Sequence, residues 1–94
     1  MMILHLPMKK EWYVMIENGE KHEEYRAKNQ YWTKRICNDD GTFKPYKHVC
    51  FHYGYTKRTM TFEIKKIRIG IGNPAWGAPD YEVFIIELLK RILI

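Results

Sequence analysis

The chain holds no apolar run, the stretch at 83–86 included, that approaches the length of a membrane span, so no segment reads as a membrane-spanning helix. Its start, MMILHLPMKK, lacks a basic opening, a long apolar middle and a small-residue cleavage site. No signal peptide is therefore expected, and a cytoplasmic protein is. Cysteine is scarce. Cys37 and Cys50 form no CxxC pair, which predicts two reduced, partly buried thiols rather than a disulfide framework. His5, His22, His48 and His52 make no zinc spacing with them. His48, Cys50 and His52 alternate and would share one strand face, but three ligands on one flat strand cannot wrap a tetrahedral ion, so no metal is expected. The glycines of 70–77 (GIGNPAWG) do not open a helix. A phosphate-binding fingerprint requires that helix, so no nucleotide loop of that kind and no cofactor is expected. Repeats, linkers and low-complexity stretches are missing as well.

What is present is enough for one folded domain over 1–94. The hydrophobic fraction is 46% and the aromatic fraction 15%, too high for a disordered chain. Acidic residues number 11 against 16 basic ones, a formal charge of +5. The basic residues recur in pairs, among them Lys9-Lys10, Lys57-Arg58 and Lys65-Lys66, and such a surplus favours a polyanionic partner.

Local patterns predict the elements. Residues 3–6 read as a first strand. Pro7 is expected to open a helix over 8–18, where its missing N–H costs nothing. Met8, Trp12, Met15 and Ile16 would form its buried stripe and Gly19 its stop. Residues 21–27 read as a strand and 30–36 as a short helical turn packing through Tyr31 and Trp32. Residues 46–53 read as a strand with Val49, Phe51 and Tyr53 on one face. Over 59–71 the apolar face changes phase, from Met60, Phe62 and Ile64 to Ile67, Ile69 and Ile71. A β-bulge near Lys65-Lys66 accounts for that. Residues 81–89 read as a last strand, buried on both faces around 83–86. The expected architecture is a mixed, small β-barrel of five to six strands with one amphipathic helix packed across it.

The segment Gly19-Glu20-Lys21-His22-Glu23-Glu24-Tyr25-Arg26 breaks the pattern, because a barrel strand ordinarily keeps one apolar face. Alternation would place His22, Glu24 and Arg26 on one side, and Lys21, Glu23 and Tyr25 on the other. Two readings stand. The strand is a charged edge that blunts edge-to-edge association, or one face of it lines a polar cleft.

The pattern G-x-K-x-x-E-x-R, here Gly19, Lys21, Glu24 and Arg26 after an amphipathic helix, resembles the signature of ASCH domains. The likeness continues through His52-Tyr53-Gly54-Tyr55, the long strand, and Gly72-x-Pro74-x-Trp76-Gly77, covering nearly the whole chain. It implies a PUA-like barrel, a cleft beside the motif strand, and a link to RNA, a nucleotide or a modified nucleoside. Some family members hydrolyse RNA or remove an acyl group from a modified cytidine. In the acyl-removing type a threonine stands where this chain has Glu24, and a carboxylate does not replace a hydroxyl nucleophile.

The same residues carry their own chemistry. Arg26 offers a planar fork suited to phosphate or carboxylate. Glu24 can accept from a base amine or act as a general base, with Lys21 as a general acid or a phosphate contact. Alternatively Glu24 and Arg26 simply pair with each other. Lys9 and Lys10 sit at the helix start, where the dipole disfavours cations unless an anion binds there. Trp76 is either a lid on the barrel or a stacking platform for a base, and Tyr55 beside Lys57 forms a second aromatic–basic cluster. An RNA-binding module, a hydrolase using Lys21 and Glu24, and a non-catalytic adaptor are the three functional expectations.

Overall fold

The structure, a computed structural model, describes residues 2–93. Five strands form one sheet: β1 (Ile3–Met8), β2 (Glu23–Arg26), β3 (His48–Tyr53), β4 (Thr59–Gly70) and β5 (Val83–Ile92). Helix α1 (Lys10–Glu17) joins β1 to β2, and α2 (Gln30–Ile36) lies between β2 and β3. A single 3-10 turn, Pro74–Trp76, interrupts the loop before β5. The strand order is β1-β3-β4-β5-β2, and the sheet curls into a half-barrel whose two edges are β1 and β2. β1 runs parallel to β3, whereas the remaining pairs are antiparallel. The sheet is thus open where a barrel would close, and the described residues form two α-helices rather than one.

Pro7 does not open the helix. It lies within β1, because Leu4, Leu6 and Met8 alternate into the core and hold the chain extended through Met8. The Met8 carbonyl accepts from Gly54 N–H on the β3 side. The peptide groups of Pro7 therefore face the free edge, where a missing N–H leaves no ladder bond unmade. Helix α1 starts at Lys10 and stops at Gly19, whose φ of 87° is the left-handed conformation a helix stop needs.

The buried stripe of α1 is turned from the expected one. Tyr13 and Ile16 are buried, and Trp12 and Met15 only half-buried. Tyr13 meets Tyr53 edge-on at 5.1 Å between ring centres. In α2, Asn29 caps the start by accepting from Trp32 N–H at 2.9 Å, Ile36 is buried, and Tyr31 is largely exposed, meeting Trp32 edge-on at the surface instead of entering the core. The β4–β5 register shifts between Phe62 and Ile64 and again between Ile64 and Lys66, next to the expected bulge. Val83, Phe84, Ile85 and Ile86 are all buried, as a strand covered on both faces requires. The main core joins Leu4, Leu6, Met8, Tyr13, Ile16, Val49, Phe51, Met60, Phe62 and Ile86, and a smaller cluster of Ile36, Cys37 and Phe84 lies beneath α2. Cys37 and Cys50 are both free thiols.

Candidate functional site

β2 is an edge strand, yet its charges are not solvated. It lies along β5, with Glu24 opposite Ile86 and Arg26 opposite Phe84, so an apolar wall stands beside the polar residues. Lys21 is 2% exposed and Glu24 7%. Lys21 precedes the strand instead of belonging to it. Strand alternation therefore does not send its side chain away from Glu24, and Lys21 Nζ lies 3.2 Å from Glu24 Oε1. The other carboxylate oxygen of Glu24 accepts from Arg26 Nη2 at 2.9 Å. One carboxylate thus bridges two cations, and the residues expected on opposite faces converge.

Further contacts fix the two cations. Lys21 Nζ donates to the Trp76 carbonyl at 2.6 Å and sits 4.5 Å from the centre of the Tyr25 ring. Arg26 Nη2 donates to the Pro7 carbonyl at 3.0 Å, so Arg26 spans the opening from edge strand β2 to edge strand β1. Its guanidinium lies 4.9 Å from the Trp32 ring centre. Arg26 Nε is buried with no partner among the described residues. Burial pushes the Lys21 ammonium below its ordinary pKa, and Glu24 opposes that fall only in part. Burial lowers Arg26 likewise, with Glu24 again opposing. Tyr25 is pushed well up, first by burial; its hydroxyl donates to Glu23 at 2.8 Å and accepts from Asn73 N–H at 3.0 Å.

Above this triad a cleft of about 200 Å³ opens between the two edges, lined by Pro7, Lys9, Trp12, Glu24, Tyr25, Arg26 and Trp76 among others. Lys21 lies behind Glu24 and is not part of the lining. The loop carrying Trp76 lies close over Trp12, because Gly77 has φ 95° and a Cβ there would meet the indole at 3.0 Å. His22 packs against Trp76 at 5.3 Å between ring centres.

The remaining candidate residues divide. Lys9 lines this cleft. Lys10 and Tyr55 line an adjoining hollow of about 290 Å³ that shares Pro7, Met8 and Lys9 with it. Lys10 Nζ lies 5.2 Å from the Tyr53 ring centre. Tyr55 is fully exposed, and Lys57, also exposed on the β3–β4 turn, lines neither hollow. Sequence reasoning missed Trp12, Tyr25 and Pro7 as cleft residues. By its spacing Trp12 belongs to the apolar stripe of α1 and reads as a core residue, but it is only half-buried and lines the cleft. Compared with known proteins, the chain matches no family model, no curated protein and no solved structure.

Proposed function

We propose that the cleft between β1 and β2 receives a base or nucleotide of single-stranded RNA, in the manner expected of an ASCH-type, PUA-like domain. The observation that carries this reading is the bridged Lys21–Glu24–Arg26 triad at the foot of an aromatic cleft. With Lys9 on the rim and Arg26 in the lining, two cations face the cleft beside one anion, which suits a ligand bearing phosphate. Trp12, Tyr25 and Trp76 offer flat apolar surface for a base. The volume falls below the ~300–1,000 Å³ of pockets for drug-sized ligands and matches a single ring system with its sugar partly outside. Arg26 Nε–H is a buried donor without an acceptor among the described residues, an arrangement costing ~1–3 kcal/mol that a bound acceptor relieves.

A second reading, a hydrolase acting on RNA or a modified nucleoside, is favoured by one specific observation. Lys21 has its pKa lowered by burial beside the Glu24 carboxylate, the environment an acid–base lysine needs. The test for both is a titration of labelled single-stranded RNA at low and high salt, with the products of each incubation resolved. Binding that weakens with salt supports the RNA reading, since counterions are released by Lys and Arg contacts. Cleavage or deacylation lost in Lys21→Ala moves the assignment to the hydrolase. No affinity at low salt removes both and leaves the adaptor.

A further inference from the structure

The parallel pairing of β1 with β3 sets His5 directly opposite Cys50, with His52 two residues further along β3. Leu4 and Leu6 point into the core from β1, and Val49 and Phe51 from β3. By alternation His5, Cys50 and His52 occupy the outer face of the sheet. Their donor atoms all lie within 4.8 Å of one another, and His5 Nδ1 is 3.1 Å from His52 Nε2. Cys50 is only 8% exposed. The objection that three ligands on one strand cannot surround an ion applies to His48, Cys50 and His52. It does not apply when the third ligand comes from the neighbouring strand.

We propose that His5, Cys50 and His52 bind a divalent transition metal of the zinc class. Metal–nitrogen bonds of ~2.0–2.1 Å and metal–sulfur bonds of ~2.3 Å put tetrahedral donors about 3.3–3.7 Å apart. The two histidine nitrogens, at 3.1 Å, stand slightly inside that spacing and the remaining contacts reach at most 4.8 Å, so modest side-chain rotation brings all three donors to it. Two imidazoles and one thiolate form a borderline-soft set that favours zinc over magnesium or calcium. On binding, the metal–sulfur bond replaces the Cys50 S–H bond and its proton leaves to solvent. The proton between the two imidazoles moves to the far nitrogen of its own ring, freeing both near nitrogens as ligands. The fourth position faces a hollow of about 330 Å³ bordered by Pro7, Gly54, Tyr55 and Thr56, so the site holds an exchangeable ligand rather than being closed. This inference is independent of the RNA reading, since none of the three ligands lines the β1–β2 cleft.

Cobalt(II) titrated into the reduced full chain tests it by absorption. One equivalent is expected to produce tetrahedral d–d bands together with a thiolate-to-cobalt charge-transfer band, and equimolar zinc is expected to bleach both. Cys50→Ser abolishes the charge-transfer band, whereas Cys37→Ser leaves it. His5→Gln, at an exposed position that the fold does not need, weakens binding by about tenfold or more. No charge-transfer band in the parent chain, a band that follows Cys37, or unchanged affinity in His5→Gln overturns the proposal.

Discussion

Lys21 and Glu24 form an ion pair 3.2 Å long in which both side chains are nearly closed off from water. A surface pair of this kind is worth ~0–1 kcal/mol. A buried one behaves differently, because removing one partner leaves an uncompensated charge in a poor solvent.

Glu24→Gln leaves one buried and one half-buried cation, Lys21 and Arg26, facing a neutral amide. It is expected to cost about 3–5 kcal/mol, read as a lowered urea midpoint. In a Lys21→Met background the same change should cost less, since only Arg26 is then left unpaired. An unaltered midpoint in the single variant would mean that the charges are solvated after all.

The depressed pKa of Lys21 gives stability a pH dependence. Between its folded value and the ordinary 10.5, the unfolded chain holds the proton more often than the fold does. Stability contributed at this site therefore rises with pH across that window, and below it the cost of a buried ammonium is borne in full. Chemical denaturation of the parent chain and Lys21→Met, compared at several pH values up to that limit, should move in favour of the parent as pH rises. A pH-independent difference would contradict the assignment.

Gly72 lies against the Tyr25 ring. A Cβ there would stand 2.3 Å from a ring carbon and 2.7 Å from Ala78 Cβ. Gly72→Ala must displace the ring and is expected to cost ~1–3 kcal/mol. Because Tyr25 OH accepts from Asn73 N–H, the shift also loosens the loop that carries Trp76. A melting temperature equal to that of the parent would show that the ring moves freely.

Tyr13 and Trp12 separate core from cleft. Tyr13 is wholly buried, and Tyr13→Ala should cost about 3–5 kcal/mol. Trp12 is half-buried, so Trp12→Ala should cost less in thermal stability and more in RNA affinity. The reverse ranking in paired melting and binding measurements would return Trp12 to the core.

The strands were legible where alternation is strong. Met60, Phe62 and Ile64 announce β4, the phase change announces its irregular register, and 83–86 announces the buried part of β5. Pro7 was misread because a proline before an amphipathic stretch is ambiguous. Its place in β1 depends on which edge of the sheet is free, a tertiary fact. The triad was legible as residue types at a spacing, though not as a contact. Strand alternation separates Lys21 from Glu24, and only the end of the strand at Glu23 releases Lys21 to turn inward. The pairing of His5 with Cys50 was out of reach, since no local pattern reports which strand lies beside β1.

That β1–β3 pairing also bears on the order of assembly. It brings residue 3 beside residue 48, while β3, β4 and β5 are antiparallel neighbours in chain order. Loop-closure entropy favours the latter contacts first, so the β3–β4–β5 meander is the expected folding nucleus, with β1 added after most of the chain has been synthesised. The cleft is bounded by β1 and β2, the two outermost strands. It is therefore the last region to take shape and the first to open, and its amides should exchange with solvent ahead of those in β4.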